Sequence, residues 1–361
     1  MKSVANKNIL EIKPYVPGRP IEEVQRELGL DDVIKLASNE SPYGPSPKVL
    51  KAIAQAAKNI NRYPDGNCFY LRRTLAKKLK VAEEQFIFGN GSDEIILLSL
   101  RAFAKVGDEV IMAQPSFLMY EIAAKISGAK PIRIPLKNFR YDLNAMKQAV
   151  TDRTKIIFIG NPDNPAGTYV TQSQVEDFLK GLRSNILVFF DEAYFEFVRK
   201  NDYPDTMGLL NCYKNLIITR TFSKMYGLAG LRVGYGVADK EVVDILDRIR
   251  EPFNVNSLAQ AAALACLNDK GYYRQVAQRI EKERQYLYQS LKKMDVRFVE
   301  TVTNFLLLDV GQGGSQIAGK LLKRGVIVRD MSFWGLNNFI RVTIGTHKEN
   351  RKFINALRGI L

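Results

Sequence analysis

The chain has a single histidine, His347, and only three cysteines, Cys68, Cys212 and Cys266. One imidazole argues against both a Ser-His-Asp triad and a multi-histidine metal site. The cysteines are far apart and have no metal-ligand spacing; an odd, scattered set fits a reducing compartment, the cytoplasm. No run of about 18 apolar residues is present, so no membrane span is expected. The N-terminus, Met1 to Asn8, has no apolar stretch of the kind a secretory signal needs. Blocks of five or six like charges are also missing. The formal charge is nevertheless +15. Its basic residues are dispersed, as in Lys77-Lys78, Lys292-Lys293 and Lys323-Arg324. Such pairs read as solvated helix faces whose summed field would gather phosphorylated or carboxylate substrates. A basic nucleic-acid-binding protein is the competing reading, but no DNA-binding motif is present.

What is there is a regular alternation. Strand candidates are 109–113, 131–134, 155–159, 186–190, 216–218 and 233–237, with amphipathic helical segments between several of them. Continuous apolar strands are buried on both faces, which implies a mostly parallel sheet covered by helices, an α/β fold. Functional residues are then expected at the carboxyl ends of the strands. Three prolines in 13–20 make an extended arm, followed by a short helix that Gly29 ends. The last hundred residues mix strands and helices: a long charged helix from 271 to about 294, an apolar strand pattern from Phe298 to Val310, and a final helix from about Lys348. They suggest a smaller α/β domain.

One segment organises the rest. Leu216-Ile217-Ile218 leads into Thr221, Ser223 and Lys224, and Arg232 follows eight positions after the lysine. A lysine enclosed between buried strands has a lowered pKa and a nucleophilic amine. The hydroxyls and the arginine suit a phosphate. Alternatively, Lys224 is a surface lysine beside a solvated arginine. Upstream, Gly89-Asn90-Gly91-Ser92-Asp93 turns a strand into a helix, where free backbone N–H groups can hold a phosphate dianion. Ser92 could instead simply cap that helix. Phe117 follows the strand at 109–113, and Asn164 lies in a rigid turn after the strand at 155–159. Asp191 ends the strand at 186–190, three residues before Tyr194. A buried carboxylate there needs a partner: a protonated ring nitrogen, a helix end or an internal cation. Arg341 sits within an apolar strand pattern and needs an anion or a carboxylate.

Taken together, this set resembles the aspartate-aminotransferase-like family of pyridoxal 5'-phosphate enzymes, and the likeness covers essentially the whole chain. Within the family it is most similar to the histidinol-phosphate aminotransferases, on Pro14-Tyr15-Val16-Pro17-Gly18, Ala37-Ser38-Asn39-Glu40, Tyr63-Pro64-Asp65-Gly66 and the pair Arg329 and Arg341. Two strings depart from the family's usual form: Ser41 follows Asn39-Glu40, and Ala166 stands where threonine is usual. The resemblance implies a large domain with a mostly parallel seven-stranded sheet and a smaller α/β C-terminal domain. On that division, residues 1–45 form the arm and the start of the small domain, 46–252 the cofactor domain and 253–361 the small domain.

It also implies roles. Lys224 would be the Schiff-base lysine, Asp191 the partner of the ring nitrogen, and Tyr194 and Asn164 donors to the ring's phenolate. Phe117 would stack on the ring. Gly91, Ser92, Asp93, Thr221, Ser223 and Arg232 would hold the phosphate, joined by Tyr63 from the partner of a homodimer. Tyr15, Asn39, Arg329 and Arg341 would bind substrate, and no metal is expected. The implied reaction is transfer of the amino group of L-histidinol phosphate to 2-oxoglutarate, giving glutamate. Aromatic amino acids are alternative substrates, and decarboxylation of a phosphorylated amino acid is an alternative reaction on the same fold.

Overall fold

The computed structural model describes residues 3–311 and 313–361; Met1 and Lys2 of the polar N-terminal segment lie outside the described residues. Its centre is a seven-stranded sheet made of β1 (Phe86–Gly89), β2 (Glu109–Gln114), β3 (Lys130–Pro135), β4 (Thr154–Gly160), β5 (Leu187–Asp191), β6 (Leu216–Thr221) and β7 (Gly234–Ala238). The strand order is β1-β7-β6-β5-β4-β2-β3. Only β7 runs antiparallel to its neighbours, as the sheet of a mostly parallel α/β domain requires.

Alternation along the strands explains the layering. Val188, Phe190, Ile157, Ile159 and Ile218 point into one apolar layer, and Leu187, Phe189, Ile156, Phe158 and Ile217 into the other. The second layer is closed by α1 (Ser92–Phe103), α2 (Leu118–Ile126) and the helix Lys240–Asp247. Helices Phe69–Leu79, Gln172–Leu179 and Ser257–Leu267 contribute to the first. With both faces covered, the open ground for chemistry is the rim where strands end.

The C-terminal part begins with the long helix Lys270–Lys292 and contains a four-stranded antiparallel sheet. Its strands are β8 (Arg297–Val299), β9 (Phe305–Asp309), β10 (Arg329–Asp330) and β11 (Phe339–Thr343), in the order β10-β11-β9-β8. The apolar pattern expected to run unbroken from Phe298 to Val310 is two strands, not one. Thr301 and Thr303 bond each other's hydroxyls at 2.7 Å, and Val302 N–H donates to Gly167 O at 2.9 Å, which pulls 300–304 out of the ladder and onto the turn after β4. The N-terminal arm joins this part too: Ile34–Lys35 pairs in parallel with Val326–Ile327. Among the described residues no helix is long and apolar enough to cross a membrane.

Candidate active site

The ends of β4, β5 and β6 open into one cavity, roughly 280 Å³, together with the N-terminus of α1, the first turn of α2 and the middle of β11. Lys224 lies three residues past β6, and its Nζ donates to Ser38 O at 3.3 Å. Burial, reinforced by the nearby charge of Arg341, pushes its pKa down to about 8. A fraction of the amine is therefore free at neutral pH.

Asp191 closes β5 and is buried. Its Oδ1 accepts from Ala193 N–H at 3.1 Å and its Oδ2 from the Tyr120 hydroxyl at 2.8 Å. Burial lifts its pKa to about 6, with the Tyr120 bond working the other way. No cation lies within ion-pair distance among the described residues, so the internal-pair reading of Asp191 is set aside.

The glycine turn has the geometry of an anion cradle. Gly91 has φ +80° and occupies the cap position of α1, which puts Ser92 inside the helix rather than at its cap, and no side-chain cap bond is made there among the described residues. A Cβ on Gly91 would meet Arg232 Nη2 at 2.5 Å, and one on Gly234 would meet Ser92 N at 2.6 Å. Arg232 Nη1 reaches Ser223 Oγ at 3.3 Å, and Nη2 reaches Asp93 Oδ2 at 3.3 Å. Thr221 Oγ1 accepts from Ser223 N–H at 3.1 Å, fixing the turn into the lysine loop. Free N–H groups, an arginine and two hydroxyls suit a phosphate monoester. A nucleophilic amine and a buried carboxylate stand in the same cavity, so the residues present fit pyridoxal phosphate.

Further along the wall, Phe117 sits at the start of α2 and meets Tyr120 edge-on at 5.6 Å. Tyr194 accepts from Asn39 Nδ2 at 2.9 Å, and burial pushes its hydroxyl up to about 12. Asn39 is held at φ +56° by its bonds to Thr343 Oγ1 and Asn304 Nδ2. Arg341 is buried, with its Nη1 on Asn164 Oδ1 and its Nη2 on Ala37 O; its Nε has no partner among the described residues. Tyr15 brings the arm to the cavity.

Two expected site residues lie elsewhere. Arg329 does not line the cavity: its guanidinium is 5.4 Å from the Tyr15 ring and 5.0 Å from the Trp334 ring, and it donates to Val16 O at 2.7 Å. Tyr63 is 83% exposed, stacked on Phe253 at 4.7 Å, and contributes nothing to its own chain's cavity. Sequence reasoning missed Tyr120, Trp334 and Asp163. Trp334, the only tryptophan, lines the cavity and donates to Ser116 O at 3.0 Å. Asp163 lies buried behind the site, with burial raising its pKa to about 7. Tyr120 lies three residues after Phe117, on the same side of the helix, and that spacing was the available signal.

The family model for aminotransferase class I and II matches residues 31–357. The chain is 49% identical to the histidinol-phosphate aminotransferase of Moorella thermoacetica, over 98% of this chain and 92% of that protein. It superposes with a TM-score of 0.91 on the crystal structure of histidinol-phosphate aminotransferase from Sinorhizobium meliloti in complex with pyridoxal-5'-phosphate, at 28% identity over 99% of both chains. Aspartate aminotransferase from Thermus thermophilus with maleate, at 21% identity and a TM-score of 0.86 over 99% of both chains, shares the fold.

Proposed function

This chain belongs to the class I and II aminotransferases, and on that premise we propose that it moves the amino group of L-histidinol phosphate to 2-oxoglutarate, with pyridoxal 5'-phosphate as cofactor. The products are imidazole acetol phosphate and L-glutamate, formed in two half-reactions at one site. The observation that carries the reading is the meeting of an amine lowered to about 8, a buried carboxylate and an uncapped helix N-terminus in one cavity.

The bound cofactor supplies an electron sink for the substrate's α-carbon. The chain's own residues do the rest. Lys224 carries the cofactor and, once released, takes and returns the proton at the α-carbon. Asp191 would hold the ring nitrogen and favour its protonated form. Asn164 and Tyr194 would donate to the ring's phenolic oxygen, and Phe117 would supply an aromatic wall beside the ring. The N–H groups of Ser92 and Asp93, after Gly91, hold the phosphate with Thr221, Ser223 and Arg232. Tyr63 of a second copy completes that cradle in a homodimer. Arg341 binds the substrate's anionic group, with Arg329, Tyr15 and Asn39 around it. A cytoplasmic location goes with this reading, as does the division at 1–45, 46–252 and 253–361.

The test is a substrate panel on purified holoenzyme. Glutamate should form from 2-oxoglutarate with histidinol phosphate at a kcat/KM well above that with phenylalanine or tyrosine. Carbon dioxide release without an acceptor, or turnover of aromatic amino acids alone, would overturn it.

A further inference from the structure

We propose that Tyr120 is a positioning residue for this site: its phenol keeps Asp191 a carboxylate and aims it into the cavity before any ring cation arrives. The proposal rests on the cofactor reading above. Tyr120 is 1% exposed on the first turn of α2. Its ring lies flat on Phe158 at 4.6 Å, with an interplanar angle of 8°, and edge-on to Phe117, so the side chain has one available pose. That pose puts the hydroxyl 2.8 Å from Asp191 Oδ2. It also puts the hydroxyl over Gly160, the register partner of Asp191 across β4 and β5. A Cβ at 160 would come 3.3 Å from it and from the Tyr141 hydroxyl, a tight contact that would press on this pose.

The surroundings leave Asp191 few other supports. The groups that bear on it are Asp93 from α1, Lys224 from the loop after β6, Tyr120 from α2, and Tyr194 and Tyr141 nearby. Asp93 opposes its ionisation, and Lys224 favours it from beyond ion-pair distance. Burial lifts Asp191, and the Tyr120 hydrogen bond is the largest influence in the other direction. Tyr120 itself stays protonated, because burial and the neighbouring carboxylate raise its own pKa far above the ordinary value. It is therefore a permanent donor, which a carboxylate needs and a neutral acid does not.

Tyr120→Phe deletes only the hydroxyl and keeps the stacking. The measurement is equilibrium binding of pyridoxal phosphate to the apoprotein across pH, with visible absorbance as the readout. Losing a hydrogen bond to a charged group should weaken binding about ten- to a hundredfold near neutral pH. Because the lost donor favoured the ionised form, Asp191 titrates higher in the variant. The acid limb of the binding curve should then start at a higher pH than in the native protein. Incorporating 3-fluorotyrosine at 120, a somewhat stronger donor of nearly the same shape, should move the limb the opposite way. It decides the matter even if the phenylalanine variant folds poorly. Unchanged affinity and an unmoved limb in the phenylalanine variant, or an unmoved limb in the fluorinated protein, would overturn the assignment. Failure of the native apoprotein to bind pyridoxal phosphate would instead bring down the proposed function.

Discussion

Arg329 and Arg341 stand directly opposite each other on the antiparallel strands β10 and β11. Like charges in that register repel. Burial first, and the Arg329 charge among the other influences, lower the Arg341 pKa from its ordinary value. The structure manages the pair by parting the two heads. Arg341 is taken up by Asn164 and the Ala37 carbonyl, and Arg329 is held near the aromatic rings of Tyr15 and Trp334. An anion near both would relieve what remains. Arg329→Ala should therefore raise KM for histidinol phosphate about tenfold or more while changing that for phenylalanine less than about threefold. Equal losses on both substrates would exclude a phosphate role for Arg329.

Lys224 gives a pH prediction with a definite sign. Its folded pKa lies below the ordinary lysine value, so the free amine accumulates as pH rises through about 8. Acylation of Lys224 in the apoprotein should follow that curve. Arg341→Met removes a cation that disfavours the ammonium, so the curve should shift to higher pH and the rate at pH 7.5 should drop roughly threefold to tenfold. Lys224→Ala should abolish turnover while leaving the circular dichroism spectrum and melting temperature close to native.

Tyr63 gives a complementation experiment. If its hydroxyl serves the partner's site, chains carrying Tyr63→Ala and chains carrying Lys224→Ala are each impaired alone. Unfolded together and refolded as mixed dimers, they should recover about a quarter of native activity, since half the dimers are mixed and each has one intact site. No recovery, with mixed dimers verified by mass, would place Tyr63 outside the partner's site.

Asp163 predicts a stability change that opens between acid pH and neutrality. Its folded pKa, about 7, lies above the ordinary aspartate value, so its contribution is complete only below that ordinary value and is lost progressively as pH rises from there to 7. Asp163→Asn should lie close to the native apoprotein near pH 4 and exceed it by about 1–3 kcal/mol at pH 8.5, measured by urea unfolding. A gain of the same size at both pH values would show that its charge is not the cause.

Much of the fold was legible in the chain. Apolar strands without polar alternation, such as Leu187 to Phe190, announce a sheet covered on both faces, and strand ends such as Asp191 mark the chemical rim. The glycine turn at Gly91 was legible because φ +80° at a helix start excludes most side chains. Less legible was the break between β8 and β9. There, threonine hydroxyls bond across two residues, and a contact with Gly167, more than 130 positions away, decides the matter. Tyr120 was passed over because a tyrosine on an apolar helix face reads as core, and its hydroxyl acquires a purpose only when β5 is set beside α2.

Sequence alone determined which chemistry this protein can do: one lysine after a buried strand, one acid at a strand end and one glycine turn are local facts, and their order along the chain is enough. Only the tertiary structure decided how those groups are supported and charged. The raised Asp191, the lowered Lys224 and the paired but separated arginines all depend on burial and on neighbours distant in sequence, and electrostatic free energy in a protein interior depends on distance and solvation rather than on chain position.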